Sequence, residues 1–342
     1  MFGLELSMIW AVLIAVAVFI YVALDGFDLG VGILFPFAKD ARERDQMQAA
    51  IAPVWDGNET WLVLGGGGLF AAFPKAYAAL MPAVYLPIIL MLLALIFRGV
   101  AFEFRHHARE RGRRFWTAAF AGGSFAAAVA QGLVLGGFVQ GVRIENGAFV
   151  GGAFDWLTPF SLMVATALVI GYALLGAAWL VFKTQGALFD RARAWLKQAS
   201  LLVMLAMGAV SLATLGVDPR VTARWGVSMT NVDWPVFVRL APLPVIAAML
   251  CVFLWRGAEG RNHLTPYLLA VGLFLVGYVG LAVSLFPYII PFAMTPADAA
   301  AADNALSLML WGALVLLPVI LSYTAYVYWL FRAKVGSDGA YH

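Results

Sequence analysis

The sequence predicts an all-α, polytopic membrane protein, and three observations carry this prediction. Hydrophobic residues make up 63% of the 342 residues, and the mean hydropathy is +0.88. Charged residues make up only 12%, whereas about 25% is typical of a soluble domain. The apolar residues form long runs, and a helix of roughly 20 such residues crosses the hydrocarbon core of a bilayer. We therefore expect a single integral membrane domain over residues 1–342.

About nine apolar runs are long enough to span a membrane. They lie near residues 8–36, 54–73, 76–98, 115–140, 157–183, 199–217, 236–256, 264–290 and 304–332. The chain starts without the basic region of a signal peptide, so we expect the first span to be retained.

Basic residues are distributed unevenly over the loops between these spans. Alternate loops and the C-terminus hold 17 of the 22 Lys and Arg residues, and the remaining loops hold five. The positive-inside rule then places the N-terminus outside and the C-terminus in the cytoplasm. The basic loop from Arg109 to Arg114 is better explained by topology and by contact with lipid headgroups than by nucleic acid.

Two pairs of acidic residues lie in the first and second spans. Asp25 and Asp28 are three residues apart, and so are Asp56 and Glu59, with Asn58 between the latter two. Residues three apart share one face of a helix. The predicted topology puts both pairs on the cytoplasmic side of consecutive helices. A carboxylate in mid-membrane costs on the order of 3 kcal/mol, so these groups must be protonated, paired or hydrated.

Charged residues near the end of the third span are candidate partners for these acids. Arg98 is the best-placed positive partner, and Glu103 and Arg105 follow at the membrane edge. Clustered carboxylates with some water suit a proton relay. A static salt-bridge network that holds three helices together, or acids that merely cap the second span, would explain the same residues.

A run of four glycines, Gly65, Gly66, Gly67 and Gly68, lies in the second span. Small residues let helices approach closely in a membrane. We therefore expect another helix to pack against this span, on the side that carries the acids.

Ligands for a redox centre are scarce in the spans. The four histidines, His106, His107, His263 and His342, all lie in loops, near a span end or at the C-terminus. A haem held between spans needs His, Met or Cys ligands, and Met without a nearby His is usually core filler. The single cysteine excludes an internal disulfide, and the glycine run lacks the Lys and Ser or Thr of a nucleotide-binding loop. We expect this chain to ligate no metal.

Three blocks of sequence resemble a known family, subunit II of the cytochrome bd-type quinol oxidases. The blocks are Gly-Phe-Asp-Leu-Gly-Val-Gly from Gly26, Trp-Asp-Gly-Asn-Glu-Thr-Trp-Leu from Trp55, and Phe-Arg-Gly-Val-Ala-Phe-Glu-Phe-Arg from Phe97. Their order and spacing, the chain length and the nine expected spans extend the resemblance over the whole chain. Some members carry Gln at the position of Glu59, and the Glu form with a long glycine run is more similar to the cyanide-insensitive branch.

The resemblance implies two helical bundles plus a peripheral helix, in the bacterial inner (plasma) membrane. It implies a haem-free subunit that supports a haem-bearing subunit I, in which haem b and haem d lie. The complex oxidises quinol, reduces oxygen to water and generates a proton gradient for aerobic respiration. For this chain the resemblance implies a cytoplasmic proton route through Asp56, with Asp25 as a weaker correspondence, and an oxygen route to the haems. A small third subunit and a structural quinone are left open.

Two other functions remain alternatives at this point. A proton-coupled secondary transporter would use the same acids, but its usual paired broken spans in two matching halves are not evident. A purely structural or assembly subunit would need no proton route. Co-purification with a haem-bearing partner would favour the oxidase subunit over the transporter.

Overall fold

A computed structural model describes residues 5–227, 232–260 and 262–336, except for the side chain of His106. His342 therefore lies outside the described residues. The helices are α1 (Leu6–Leu34), α2 (Ala41–Ala49), α3 (Trp55–Ala72), α4 (Pro74–His107), α5 (Glu110–Val139), α6 (Pro159–Lys183), α7 (Ala187–Leu215), α8 (Pro219–Trp225), α9 (Trp234–Leu240), α10 (Pro242–Gly257), α11 (Thr265–Leu285), α12 (Pro296–Ala299) and α13 (Asp303–Leu330). A short antiparallel hairpin, β1 (Ile144–Glu145) and β2 (Ala148–Phe149), lies between α5 and α6.

The prediction of an all-α membrane protein is confirmed. Within the described ranges, eight helical stretches are long and apolar enough to cross a membrane. The predicted second span is the helix α3, which is not among the eight because its first turns carry Asp56, Asn58 and Glu59. The count of nine spans and the orientation of the chain stay predictions.

Several predicted boundaries differ from the structure. The sixth span begins twelve residues earlier than predicted, because α7 starts at Ala187 and its charged first turns belong to the same helix. Two further differences have identifiable reasons. The third span does not end at Arg98, because α4 continues to His107 and leaves Arg98 inside the helix. This long helix contains two prolines and is kinked at Val84, where φ is −124° and ψ is 18°. The predicted seventh span is divided into α9 and α10 at Pro242, whose nitrogen cannot donate a helical hydrogen bond.

Helix α1 is central to the packing of the first half of the chain. It packs against α3, α5 and α6, and α4 packs against α5. A second group forms where α6 and α7 pack with α10 and α11. Helix α13 contacts α1 and α3 only lightly, and most of its surface is exposed.

The contact between α1 and α6 is close enough to bring the two backbones together. A Cβ atom added to Gly30 would lie 1.8 Å from the backbone oxygen of Tyr172, and one added to Gly176 would lie 2.3 Å from the Gly30 carbonyl carbon. Phe27 and Leu29 are fully buried beside this contact. The signature glycines of the first block therefore fix the position of the part of α1 that carries Asp25 and Asp28.

Candidate functional site

A buried arginine brings three of the four predicted acids together. The Nη1 atom of Arg98 lies 3.1 Å from Oδ1 of Asp25 and 3.9 Å from Oε2 of Glu59, and its Nη2 atom lies 4.0 Å from Oδ2 of Asp28. Both aspartates are fully buried, whereas the Glu59 side chain is 27% exposed. We call these four residues the acid cluster. They come from α1, α3 and α4, the three helices that the sequence predicted.

Asn58 connects the acid cluster to the last helix. Its Nδ2 atom donates a hydrogen bond of 2.7 Å to Oδ2 of Asp28, and its Oδ1 atom accepts one of 2.8 Å from the Tyr328 hydroxyl. The sequence analysis predicted Asn58 as a site residue but did not include Tyr328. The structure shows instead that Tyr328 reaches into the site from α13.

A series of hydrogen-bonded polar side chains leads from the acid cluster into the helical bundle, and the sequence analysis did not predict it. The Tyr172 hydroxyl donates to Oε1 of Gln131, and Nε2 of Gln131 donates to the Tyr21 hydroxyl, both at 2.6 Å. Tyr21 lies one turn before Asp25 on α1 and interacts with its carboxylate. The available signal was Gln131, a lone amide in an apolar span, because such a residue usually hydrogen-bonds to another helix.

The charges in the acid cluster do not balance within the chain. One guanidinium faces three carboxylates, and in the described part of the chain Oδ1 of Asp28 and Nε of Arg98 have no hydrogen-bond partner. Unpaired charge in a buried site is costly, so the cluster must bind protons or water. A site of this kind is able to take up and release protons.

The remaining predicted charged residues lie apart from Arg98. The Asp56 side chain is exposed on α3, and Glu103 is exposed on α4. Arg105 was predicted to lie at the membrane edge as a charge partner of the acids, but its Nη1 atom contacts Oδ1 of Asp45 and Oε1 of Gln48, both at 2.8 Å. Arg105 therefore belongs to a separate charged group that attaches α2 to α4.

Asp45 is the centre of that separate group. It also accepts two hydrogen bonds of 2.8 Å from Nη2 of Arg113 on α5. Burial disfavours the carboxylate, but the hydrogen bonds from Arg113 and Arg105 outweigh burial and hold the pKa of Asp45 below its ordinary value. The group keeps α2 in place over the ends of α4 and α5.

The glycine run of α3 has two different faces. A Cβ atom on Gly65 or Gly68 would meet side chains of α1 at 3.1 Å, whereas nothing lies within 4 Å of one on Gly66 or Gly67. The open face also carries Val63, which is 72% exposed. Half of the run thus packs against the chain itself, and the other half is free for another helix.

The histidine side chains that the structure describes lie away from the centre of the membrane-spanning helices. His107 and His263 lie outside the long apolar parts of the spans. No group of three or more His, Cys, Asp or Glu side chains in the described ranges is placed to hold a metal ion.

The fold and the acid cluster define a multi-pass membrane protein with a buried charged site between its helices. The family model described as "Cytochrome bd terminal oxidase subunit II" matches residues 6–331, and the chain belongs to this family. It is therefore a subunit of an oxidoreductase complex in the bacterial inner membrane. For the complex as a whole, the family implies a partner subunit I, haems and a quinol substrate.

Two relatives agree with this assignment, and a solved structure shares the fold. The chain is 31% identical to "Cytochrome bd-I ubiquinol oxidase subunit 2" of Escherichia coli (strain K12), with 97% of this chain and 96% of the relative covered. It is 30% identical to "Cytochrome bd ubiquinol oxidase subunit 2" of Bacillus subtilis (strain 168), with 96% of each chain covered. A chain of "The structure of bd oxidase from Geobacillus thermodenitrificans" shares the fold, with a TM-score of 0.77, 20% identity, and coverage of 97% of this chain and all of that chain.

Proposed function

We propose that this chain is the haem-free subunit of a cytochrome bd-type quinol oxidase and carries protons from the cytoplasmic side to oxygen-reducing haems in subunit I. The names of the relatives from Escherichia coli and Bacillus subtilis suggest ubiquinol as the substrate of the complex. The lack of histidine in the spans supports placing haem b and haem d in the partner.

The observation that carries this proposal is the acid cluster itself. Its charge is unbalanced, it is buried on one side, and it reaches the protein surface through Glu59. Asp56 lies one helical turn before Glu59 on the exposed part of α3. In the proposed route Asp56 and Glu59 exchange protons with the surface, Asp28 and Asp25 hold them inside, and Arg98 and Asn58 position the carboxylates.

The open face of α3 supports contact with the partner subunit at the same place. Gly66 and Gly67 leave room for a helix of subunit I to approach closely, and small residues favour such contacts in membranes. A helix packed there would lie beside Glu59, so protons would have a short path out of this chain. An oxygen route, a small third subunit, a structural quinone and membership of the cyanide-insensitive branch remain predictions from the resemblance.

A static network is the second candidate function of the acid cluster. The 3.1 Å contact between Arg98 and Asp25, with both side chains buried, would hold α1 and α4 together without any proton movement. Removing one partner of a buried ion pair is strongly destabilising, so such a network would reveal itself in assembly.

The Asp28→Asn substitution separates the two candidates in the purified complex. Asparagine keeps the shape and an oxygen acceptor for Asn58 but cannot carry a proton. We expect normal assembly and haem content, with quinol-dependent oxygen consumption slowed at least about tenfold, because positioned proton transfer contributes roughly 10²- to 10⁴-fold. Asp56→Asn is expected to slow turnover less, because water can replace an exposed carboxylate.

Asp155→Asn is the matched control, since Asp155 is partly exposed and pairs with Arg143, between α5 and α6 and outside the acid cluster. This control is expected to turn over normally. Full haem content with normal oxygen consumption in Asp28→Asn would contradict the relay. Loss of haem or of subunit I would favour the static network.

A further inference from the structure

A cavity of about 260 Å³ opens at the end of the membrane domain away from the acid cluster. It lies between α8 and the segment that follows α11. Ile290, in that segment, packs in one cluster with Trp10 of α1. Asp25 lies 15 residues further along α1, a distance of about 22 Å in a helix. The cavity is therefore separate from the proposed proton route.

Two arginines line this cavity, and only one of them is neutralised by a nearby carboxylate. The Nε and Nη2 atoms of Arg220 bind the two carboxylate oxygens of Asp218 at 2.8 and 2.9 Å. These hydrogen bonds hold the pKa of Asp218 below its ordinary value, so the pair stays ionised. Arg224 donates from Nη2 to the Phe286 backbone oxygen at 2.7 Å, and within the described ranges it has no ion pair. One positive charge with free N–H donors thus remains at the cavity.

Aromatic residues form the apolar part of the same cavity. The Phe286 side chain is 53% exposed, and the guanidinium of Arg224 lies 5.6 Å from its ring centroid. Arg220 lies over the rings of Tyr288 and Phe292, at 5.6 and 4.6 Å. These aromatics directly follow the apolar helix α11, where a membrane-spanning helix reaches the interface and where aromatic side chains are enriched. The cavity therefore combines exposed guanidinium groups with aromatic side chains at the end of a membrane-spanning helix, where lipid headgroups are expected.

The charge distribution of the whole chain makes this pair of arginines unusual. By the predicted topology, only five of the 22 Lys and Arg residues lie on this side of the membrane, and two of the five line one cavity. Topology signals cannot explain them, because basic residues determine orientation from the cytoplasmic side. Guanidinium groups bind phosphate oxygens through parallel N–H donors, which suits a ligand with a phosphate group.

We propose that this cavity binds the phosphate group of an anionic phospholipid, with Arg224 as its principal donor and the Phe286 ring beneath the glycerol region. A single net positive charge matches the single charge of a phosphodiester. A zwitterionic lipid carries its own ammonium group, which competes with Arg224 for the phosphate. An anionic headgroup such as phosphatidylglycerol is therefore preferred over phosphatidylcholine.

The test uses the intact, delipidated oxidase complex with three probes: phosphatidylglycerol, phosphatidylcholine and inorganic phosphate. Native mass spectrometry counts bound lipid, and thermal unfolding reports stabilisation by each probe. Arg224→Gln is expected to weaken phosphatidylglycerol binding roughly tenfold or more, because hydrogen bonds to charged groups contribute about 1.5 to 3 kcal/mol. Arg224→Lys, which keeps the charge but loses the parallel donors, is expected to fall between Arg224→Gln and the unmodified complex.

Arg239→Gln is the matched control, because Arg239 is exposed on α9, on the same predicted side of the membrane, and does not line the cavity. We expect it to bind phosphatidylglycerol as the unmodified complex does. Equal loss in Arg224→Gln and Arg239→Gln, or no loss in Arg224→Gln, would overturn the proposal. Equal stabilisation by inorganic phosphate would also overturn it, since the site would then take free phosphate. Oxygen consumption serves as a check that both variants remain intact, and the lipid-binding measurements themselves do not depend on the proton route.

Discussion

The Gly30→Ala substitution tests whether the contact between α1 and α6 determines the geometry of the acid cluster. The added Cβ atom would lie 1.8 Å from the backbone oxygen of Tyr172 and 2.8 Å from the backbone nitrogen of Gly176. Neither atom belongs to a movable side chain. The helices must therefore separate by about 1.2 Å or more before the closest contact reaches even 3.0 Å, where repulsion is still present.

Such a displacement is large enough to break hydrogen bonds in the site, because a contact lengthened by that amount lies beyond hydrogen-bonding distance. Asp28 lies two residues before Gly30 on α1, and the Arg98–Asp25 contact is only 3.1 Å long. Overpacking a close-packed interior costs about 1 to 3 kcal/mol, and a clash between two backbones belongs at the upper end of this range. We expect Gly30→Ala to lower the melting temperature of the complex by several degrees and to reduce the haem-replete yield.

The control is Gly208→Ala on the exposed part of α7, where nothing lies within 4 Å of the added Cβ atom. Replacement of glycine by alanine at an open helical position is neutral or slightly stabilising. Melting curves of both complexes, followed by the haem absorbance, provide the measurement. A Gly30→Ala complex that melts with the unmodified protein would refute the reasoning, since it would mean that the two helices adjust without cost.

Three further substitutions test other contacts. Gln131→Leu removes the acceptor of the buried Tyr172 hydroxyl and the amide donor to the Tyr21 hydroxyl. We expect a loss of about 1 to 2 kcal/mol in the free energy of thermal or denaturant unfolding, and an unchanged melting curve would show that the hydroxyls find other partners. Asp45→Asn is expected to destabilise the complex by about 1 kcal/mol or less at pH 7, because the partly exposed carboxylate is screened by solvent. The pKa of Asp45 is lowered in the folded state, so its contribution to stability is present above about pH 4 and is lost as the pH falls through the folded-state pKa. The melting temperatures of Asp45→Asn and of the unmodified complex should therefore converge at low pH. A difference that persists there would contradict a stabilising role for the Asp45 carboxylate. Lys183→Met removes the donor of hydrogen bonds to two backbone oxygens of the segment that follows α13. Trypsin should then cut after Lys334 faster than in the unmodified complex, as followed by mass spectrometry. Equal cleavage rates would show that other contacts, such as that of Lys334 with the Thr184 oxygen, are enough to hold the segment.

Much of the fold was predictable because long apolar runs have few structural solutions in a bilayer. For α5, α6 and α11, composition alone predicts most of the helix ends to within a few residues. The extension of α4 past Arg98 was not predictable in this way, because charged residues normally indicate a loop. Here Arg105 is buried against Asp45 and Gln48, and that tertiary pairing lets the helix continue.

The candidate site was predictable where charge identifies it and not where neutral polar groups complete it. Asp25, Asp28 and Arg98 stand out because ionisable residues are costly in a membrane span. Tyr21 and Tyr172 do not, because tyrosines are common in spans and only the folded structure shows which hydroxyls meet. Helical spacing placed Asp56 beside Glu59 but could not show that its side chain is exposed on α3 while Glu59 turns toward Arg98.

The hydrogen bond between Tyr328 and Asn58 has a consequence for how the chain is made. The two residues are separated by 270 positions, and α13 follows the other long helices of the described residues in the chain. Asn58 therefore acquires this partner only after α13 has been synthesised and has entered the membrane. A chain that lacks α13 retains every acidic group of the cluster but leaves Asn58 without the Tyr328 hydroxyl, so the site is complete only when this distant helix has joined the bundle.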